Sequence, residues 1–359
     1  MERLFISREN LEMLVGRLKD SCDEFIAPRK EHLDDIIFGD TKNDDSGLLL
    51  YYEGNSVISP RAFLLPQTEL LFEIKSIRKG KFSPLEDKRE RVFYGVRPCD
   101  IKALTLMRKF FVDDEFTDIP YKEKMKPSTF IALACNKLCS HNAFCCEIDA
   151  GPLAKEVPPA LRAVGPEGYD LQLASIGRGY LVDVGSNKGS EIVRKNKKLF
   201  TNATPQDEKE SKEILKEFMK ECRAEKIDYK KVAGIMKEDK VAQSVWDDIG
   251  QRCVICSGCI TLCPTCSCFS VADRVNGDSG IRLRYCDGCP YAGFTRMASG
   301  STPFPLHRDH IRRFFEHKLN HDVERYGTPS CVGCGRCINT CPGNISIRKF
   351  IDDALKVKK

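Results

Sequence analysis

Cys253-Val-Ile-Cys256-Ser-Gly-Cys259-Ile-Thr-Leu-Cys263-Pro264 is answered further along the chain by Cys331-Val-Gly-Cys334-Gly-Arg-Cys337-Ile-Asn-Thr-Cys341-Pro342. Three cysteines separated by pairs of residues wrap a loop around one cubane iron–sulfur cluster. The fourth, before a proline, turns away toward the neighbouring cluster. This crossing predicts one 4Fe-4S cluster on Cys253, Cys256, Cys259 and Cys341, and a second on Cys331, Cys334, Cys337 and Cys263. Structural zinc is the competing reading, although zinc ribbons use two separated cysteine pairs rather than a repeated four-cysteine run. Ser257-Gly258, Gly333 and Gly335 are small enough for backbone N–H groups to turn toward cluster sulfurs. The cysteines leave no adjacent room for a substrate, so the runs read as electron relays.

A long insertion, Pro264 to Ser330, parts the two runs. Within it Leu306 to Leu319 has helical spacing, with Ile311, Phe314, Phe315 and Leu319 on one face. That favours a helical dicluster module over a compact β-α ferredoxin. Such modules resemble those in the iron–sulfur subunits of fumarate reductase and heterodisulfide reductase. Upstream, Asn10 to Asp20 reads as an amphipathic helix. Leu48–Tyr52, Arg91–Gly95, Thr129–Ala134 and Gly179–Gly185 read as strands. From Pro205 to Trp246 the composition shifts to Lys and Glu with helical spacing. The fold class expected is α+β. A mixed α/β domain over 1–205 is followed by a charged helical connector over 206–250 and an α-helical ferredoxin-like dicluster domain over 251–359.

The 359 residues include nineteen cysteines, eight of them in the runs, and clusters on such runs need reduced thiols, which argues against a disulfide-bonded secreted protein. No signal-peptide pattern opens the sequence and no apolar stretch approaches the roughly 20 residues of a membrane span. A cytoplasmic, anaerobic setting is expected. Net charge is +5, but residues 253–359 carry 15 Lys and Arg against 9 Asp and Glu, so the excess lies beside the clusters. Thiolate-ligated clusters are net anionic and draw such cations, so nucleic acid is not required as a partner. His307, His310, His317 and His321 are read as polar neighbours of the clusters rather than ligands. Arg296 and Arg336 are candidate tuning charges.

Two further thiol groups stand out. Cys99, Cys135, Cys139, Cys145 and Cys146 crowd the first half, with Cys99 and Cys135 just beyond strand ends, which would make a ready site for a third 4Fe-4S cluster. Its expected ligands are Cys99, Cys135, Cys139 and Cys145; buried free thiols are the alternative. Cys266, Cys268, Cys286 and Cys289 supply four thiolates inside the insertion, enough for a further cluster or zinc, or they pack as free thiols. Cys22 and Cys222 read as isolated core or surface thiols.

Val92-Phe-Tyr-Gly-Val-Arg-Pro-Cys-Asp-Ile-Lys-Ala-Leu104 resembles the signature of iron–sulfur (beta-type) subunits of cytoplasmic sulfhydrogenases and anaerobic sulfite reductases. So do Cys263-Pro-Thr-Cys-Ser-Cys-Phe269 with Asp273, Arg296 to Pro305, and Tyr326 to Cys337. Ser59-Pro60, Phe63 to Pro66 and Glu69 to Glu73 fit the family's N-terminal region. The resemblance implies a subunit passing electrons between a flavin-containing, ferredoxin-reductase-like partner and a second redox partner. That second partner would be a hydrogenase small subunit, a sulfite reductase or a heterodisulfide-reductase-type subunit. With no Gly-x-Gly-x-x-Gly after a strand, FAD and NAD(P) are expected on the partner, not here. Two departures bear on the ligands. Ala143-Phe144-Cys145-Cys146 stands where the family has Cys-Phe-Cys, so Cys139 or Cys146 must replace a thiol. Cys286 stands where the family has tryptophan.

The leading expectation is thus a non-catalytic electron-transfer subunit of an oxidoreductase complex, with no catalytic residue of its own. The alternatives are a catalytic subunit reducing sulfur, sulfite or a disulfide at an iron–sulfur site, and a zinc-stabilised scaffold.

Overall fold

The structure, a computed structural model, describes residues 3–31, 34–154, 168–223 and 225–356. Its strands are β1 (Leu4–Ser7), β2 (Glu24–Lys30), β3 (Ile36–Asp40), β4 (Thr68–Ser76), β5 (Lys81–Pro84), β6 (Arg91–Val96), β7 (Thr129–Leu133), β8 (Leu171–Ile176), β9 (Gly179–Val184), β10 (Thr201–Asn202), β11 (Phe269–Asn276) and β12 (Ser279–Cys286). Seven helices matter below: α1 (Arg8–Asp20), α2 (Pro98–Phe111), α3 (Pro205–Glu221), α4 (Tyr229–Lys237), α5 (Gln243–Arg252), α6 (His307–Glu316) and α7 (Ile347–Leu355). The chain forms two compact units. The first comprises Met1–Arg61, Lys88–Lys226 and Val332–Gly335; the second comprises Ala62–Asp87, Ile227–Cys331 and Arg336–Lys359.

The first unit is built on a mixed eight-stranded sheet in the order β10-β1-β9-β8-β7-β6-β2-β3. Its centre is parallel: β2 pairs with β6, β6 with β7, and β7 with β8. Central parallel strands are covered on both faces and so need near-continuous apolar sequence. Arg91-Val-Phe-Tyr-Gly-Val96 meets that need, with all six residues buried. Leu11, Leu14, Val15 and Leu18 of α1 pack over Val92, Tyr94, Ile131, Leu133, Leu171 and Leu173 on one face. Phe93 and Phe130, alternate residues on neighbouring strands, stack with centroids 5.0 Å apart. Each such buried side chain contributes about 1.5–3 kcal/mol relative to exposure.

Gly95 interrupts the β6–β7 ladder at φ +75°, and the register slips between Tyr94 and Val96. A side chain there would press on the Pro28 ring and Tyr52. Glycine is therefore what lets this bulge form. The expected helix at Asn10 to Asp20 and the strands at Arg91, Thr129 and Gly179 are present. Leu48–Tyr52 is not a strand: it makes an isolated Arg29–Leu48 bridge to the part of β2 that lies beyond its pairing with β6 at Glu24–Ile26.

The second unit is mixed rather than wholly helical, which corrects the expectation for the insertion. Phe269–Asn276 and Ser279–Cys286 form a hairpin around Gly277-Asp278, joined to the β4–β5 hairpin in an antiparallel sheet ordered β11-β12-β4-β5. Ile281, Leu283 and Tyr285 alternate with Arg282 and Arg284, a period of two that a helix cannot use. The helix expected from Leu306 does form, as α6 followed by a π turn (His317–His321) and Asp322–Tyr326. Its anticipated apolar face, Ile311, Phe314, Phe315 and Leu319, is buried. Phe315 lies 4.6 Å from the Phe350 ring of α7, and Trp246 of α5 lies 4.8 Å from Phe350.

Candidate iron–sulfur sites

Helix α5 ends where the first cysteine run begins, and Cys253 caps it through an N–H bond to Ile249 (3.1 Å). His307 Nε2 donates to the Cys253 carbonyl at 3.0 Å, so this histidine is a polar neighbour of the site, as expected. Ile255 and Ser257 adopt left-handed backbone (φ +54° and +61°), which coils the loop between thiols. The Ser257 hydroxyl is buried without a partner. Cys253, Cys256, Cys259 and Cys341 all line one cavity, walled by Ile311, Phe314 and Phe315. Cys337, expected in the other set, also reaches this wall.

Two contacts bring Cys341 to Cys253. The Arg252 guanidinium donates to the carbonyls of Gly343 (3.0 Å) and Asn344 (2.8 Å), and also pairs with Asp248. A Cβ on Gly343 would stand 2.3 Å from the Arg252 carbonyl, so only glycine permits this approach. Burial pushes the Cys253 thiol above its ordinary pKa, and nearby Cys341 and Cys256 add to the rise; Cys259 is pushed up chiefly by burial, then by Cys289 and Cys253. Buried thiols that disfavour one another's ionisation become thiolates together only around a cationic centre. The donor set therefore fits an iron–sulfur cluster.

The second run turns through Gly333 and Gly335 at φ +62° and +78°. Its residues 332–335 lie in the first unit, where the Phe144 N–H donates to the Gly333 carbonyl at 2.8 Å. A Cβ on Gly333 would come within 2.7 Å of the Cys145 nitrogen. Cys334 is thereby carried beside Cys145 and contributes to the rise in that thiol's pKa. Cys263, Cys331 and Cys334 are buried; Arg336 is buried too, whereas Arg296 is exposed.

The first unit assembles its own thiol set at the carboxyl ends of parallel strands, where open α/β sheets place their sites. Val96 pairs with Ala132, and a cysteine follows each by three residues: Cys99 in the first turn of α2 and Cys135 just past β7. Cys139 and Cys145 complete the group, the latter in the short 3-10 turn Cys145–Ile148. Burial pushes Cys145 up, followed by Cys135, Cys139 and Cys334; burial raises Cys135 as well, against the lowering effect of Arg97.

Sequence reasoning missed Arg97 and Lys102. The Arg97 guanidinium, 4% exposed, donates to the carbonyls of Gly54 (3.0 Å), Ala134 (3.1 Å) and Tyr52, and stacks on the Tyr52 ring at 4.0 Å. Its electrostatic neighbours include Cys135, Cys139 and Cys99. Lys102, fully buried one turn after Cys99, donates to the Ile148 carbonyl at 2.6 Å and so pins the Cys145 turn to α2. Their only sequence signal was membership of the Arg97-Pro-Cys-Asp-Ile-Lys102 string.

Cys222 is not an isolated thiol. It forms a disulfide with Cys146, Cα atoms 6.3 Å apart, at the end of α3. Cys146, one of the two thiols named as a possible replacement in the Cys145-Cys146 stretch, is thus joined to Cys222. In the insertion, Cys266, Cys268 and Cys289 are close enough to perturb one another, with Cys266 raising Cys268 most through a hydrogen bond. The Cys286 thiol donates to the Pro66 carbonyl at 3.7 Å. Among the described residues, no three Cys, His, Asp or Glu side chains close around a point for a single ion. Cys253, Cys256, Cys259, Cys337 and Cys341 line one cavity instead.

Residues 252–345 match the 4Fe-4S dicluster domain family. Sulfhydrogenase 2 subunit beta of Pyrococcus furiosus is 27% identical over 308 residues, 83% of each chain. This chain resembles that hydrogenase subunit along most of its length. The match supports the resemblance read from Val92–Leu104 and from the paired runs, and with it an iron–sulfur character. Among the described residues, no helix is long and apolar enough to cross a membrane.

Proposed function

We propose that this chain is an electron-transfer iron–sulfur subunit of an oxidoreductase complex, related in role to the beta subunit of a sulfhydrogenase. The observation that carries the reading is the shared cavity: Cys341, distant in sequence, lines the same wall as Cys253, Cys256 and Cys259. That supports crossed ligand sets, with Cys331, Cys334, Cys337 and Cys263 holding the second 4Fe-4S cluster. Cys99, Cys135, Cys139 and Cys145 would hold a third. When bound, such clusters supply one-electron storage at potentials set by burial, charge and hydrogen bonds to sulfur. The chain's own residues wrap the thiols, exclude water with Phe314 and Phe315, and place cations beside them. A flavin-containing, ferredoxin-reductase-like subunit is the partner on one side and a second redox subunit the partner on the other.

The test is anaerobic purification of the complex with its native partners, followed by iron and sulfide analysis and EPR. Iron and sulfide in equal amounts, with NAD(P) turnover only while a flavin subunit is present, are expected. Zinc in place of iron, or full pyridine-nucleotide activity by this chain alone, overturns the reading.

A further inference from the structure

Lys318 is a buried cation that no sequence motif singled out. It lies in the π turn His317–His321, where the helix widens by one residue, a distortion frequent at functional sites. The turn brings Lys318 inward until it is 3% exposed. An ammonium buried that deeply is costly unless something anionic or hydrogen-bonding receives it. Its Nζ donates to Thr265 Oγ1 at 2.9 Å, and Thr265 Oγ1 lies 3.3 Å from Cys263 Sγ. The direction of this chain follows from the groups. Lysine has only donors, and a cluster-bound thiolate sulfur only accepts, so the Thr265 hydroxyl accepts from Lys318 and donates to Cys263. The Lys318 carbonyl in turn accepts from the Ser330 N–H at 3.1 Å, one residue before Cys331. One residue is thus tied to both segments that the crossed reading assigns to a single cluster.

We infer that Lys318, acting through Thr265, raises the reduction potential of the cluster held by Cys263 and the Cys331 run; this rests on the iron–sulfur reading above. Reduction adds an electron to a site that is already anionic. A fixed positive charge one hydroxyl away from a ligand sulfur, and a hydrogen bond to that sulfur, both stabilise the reduced form more than the oxidised one. Lys318 is a positioning and tuning residue, since it touches no cluster ligand directly.

The experiment is an EPR-monitored redox titration of the full chain, reconstituted anaerobically, with the relevant signal assigned by its perturbation in Cys263→Ser. In Lys318→Met the reduction equilibrium of that signal against a fixed couple should fall at least tenfold, which for one electron is about 59 mV. Lys318→Arg should restore it. Thr265→Val, which keeps the fold's volume and breaks the link, should shift it in the same direction on the order of threefold. If Lys318→Met does not load iron, Lys318→Arg and Thr265→Val decide alone. An iron-loaded Thr265→Val with an unmoved potential, or equal shifts of every signal in any variant, overturns the inference while leaving the relay intact. A native chain that binds no iron overturns the relay instead.

Discussion

The two thiol regions gather their cysteines by opposite routes. Each run supplies three cysteines from a single loop, and Arg252 on the Gly343 and Asn344 carbonyls brings in Cys341. In the first unit Cys99, Cys135 and Cys145 come from three separate elements, held by the sheet register and by Arg97 and Lys102. A loop-encoded site tolerates change elsewhere in the fold but not in its own spacing. A sheet-assembled site depends on buried polar residues far from any motif.

The sharpest way to break the comparison is Cys341→Ala. It should remove the cluster of the Cys253 run and spare the other signals, read by iron and sulfide content and EPR. Loss of the Cys331-run signal instead would refute the crossing. Next in size, Phe315→Ala removes a ring that packs on Phe350 and walls the cavity. It should cost about 3–5 kcal/mol in denaturant unfolding of the second unit. Arg97→Met leaves three buried carbonyls without their donor and should cost about 3 kcal/mol. It should bleach the cluster proposed for the first unit while the dicluster EPR persists. Equal damage to both regions would mean that the sites are not separately assembled.

The smallest effect tests the periphery of the first unit. Asp207 closes the capping box of α3 with Thr204, and Arg178 pairs with it. Burial alone would raise its pKa, but the Thr204 N–H and hydroxyl and Arg178 prevail and lower it. A depressed carboxylate stabilises the fold above the unfolded aspartate value of about 3.9 and ceases to as pH falls through the lower folded value. Asp207→Asn should therefore cost about 1 kcal/mol at neutral pH. The gap between variant and parent should close in acid; a gap independent of pH would point to packing rather than charge.

Much of this was legible in the residues. The doubled cysteine run, the apolar face of α6 and the continuous apolar strand at Arg91–Val96 are local patterns whose period or spacing dictates their structure. The insertion's hairpin was equally local, in the alternation of Ile281, Leu283 and Tyr285, but the helical signal after Leu306 masked it. Leu48–Tyr52 has strand composition yet bridges β2 only at Leu48, beyond the residues that β2 pairs with β6.

The residues alone marked the thiols proposed to bear the chemistry: eight in two runs, and a further set that follows β6 and β7. Spacing suffices for the runs because a short loop can arrange its own cysteines. The doubled run also assigned Cys341 to the Cys253 loop, whereas packing joins Cys146 to Cys222 and buries Arg97, Lys102 and Lys318 among thiols and carbonyls. A lone lysine or arginine in a sequence is most often solvated. Its burial follows from what packs around it, and no local pattern records that.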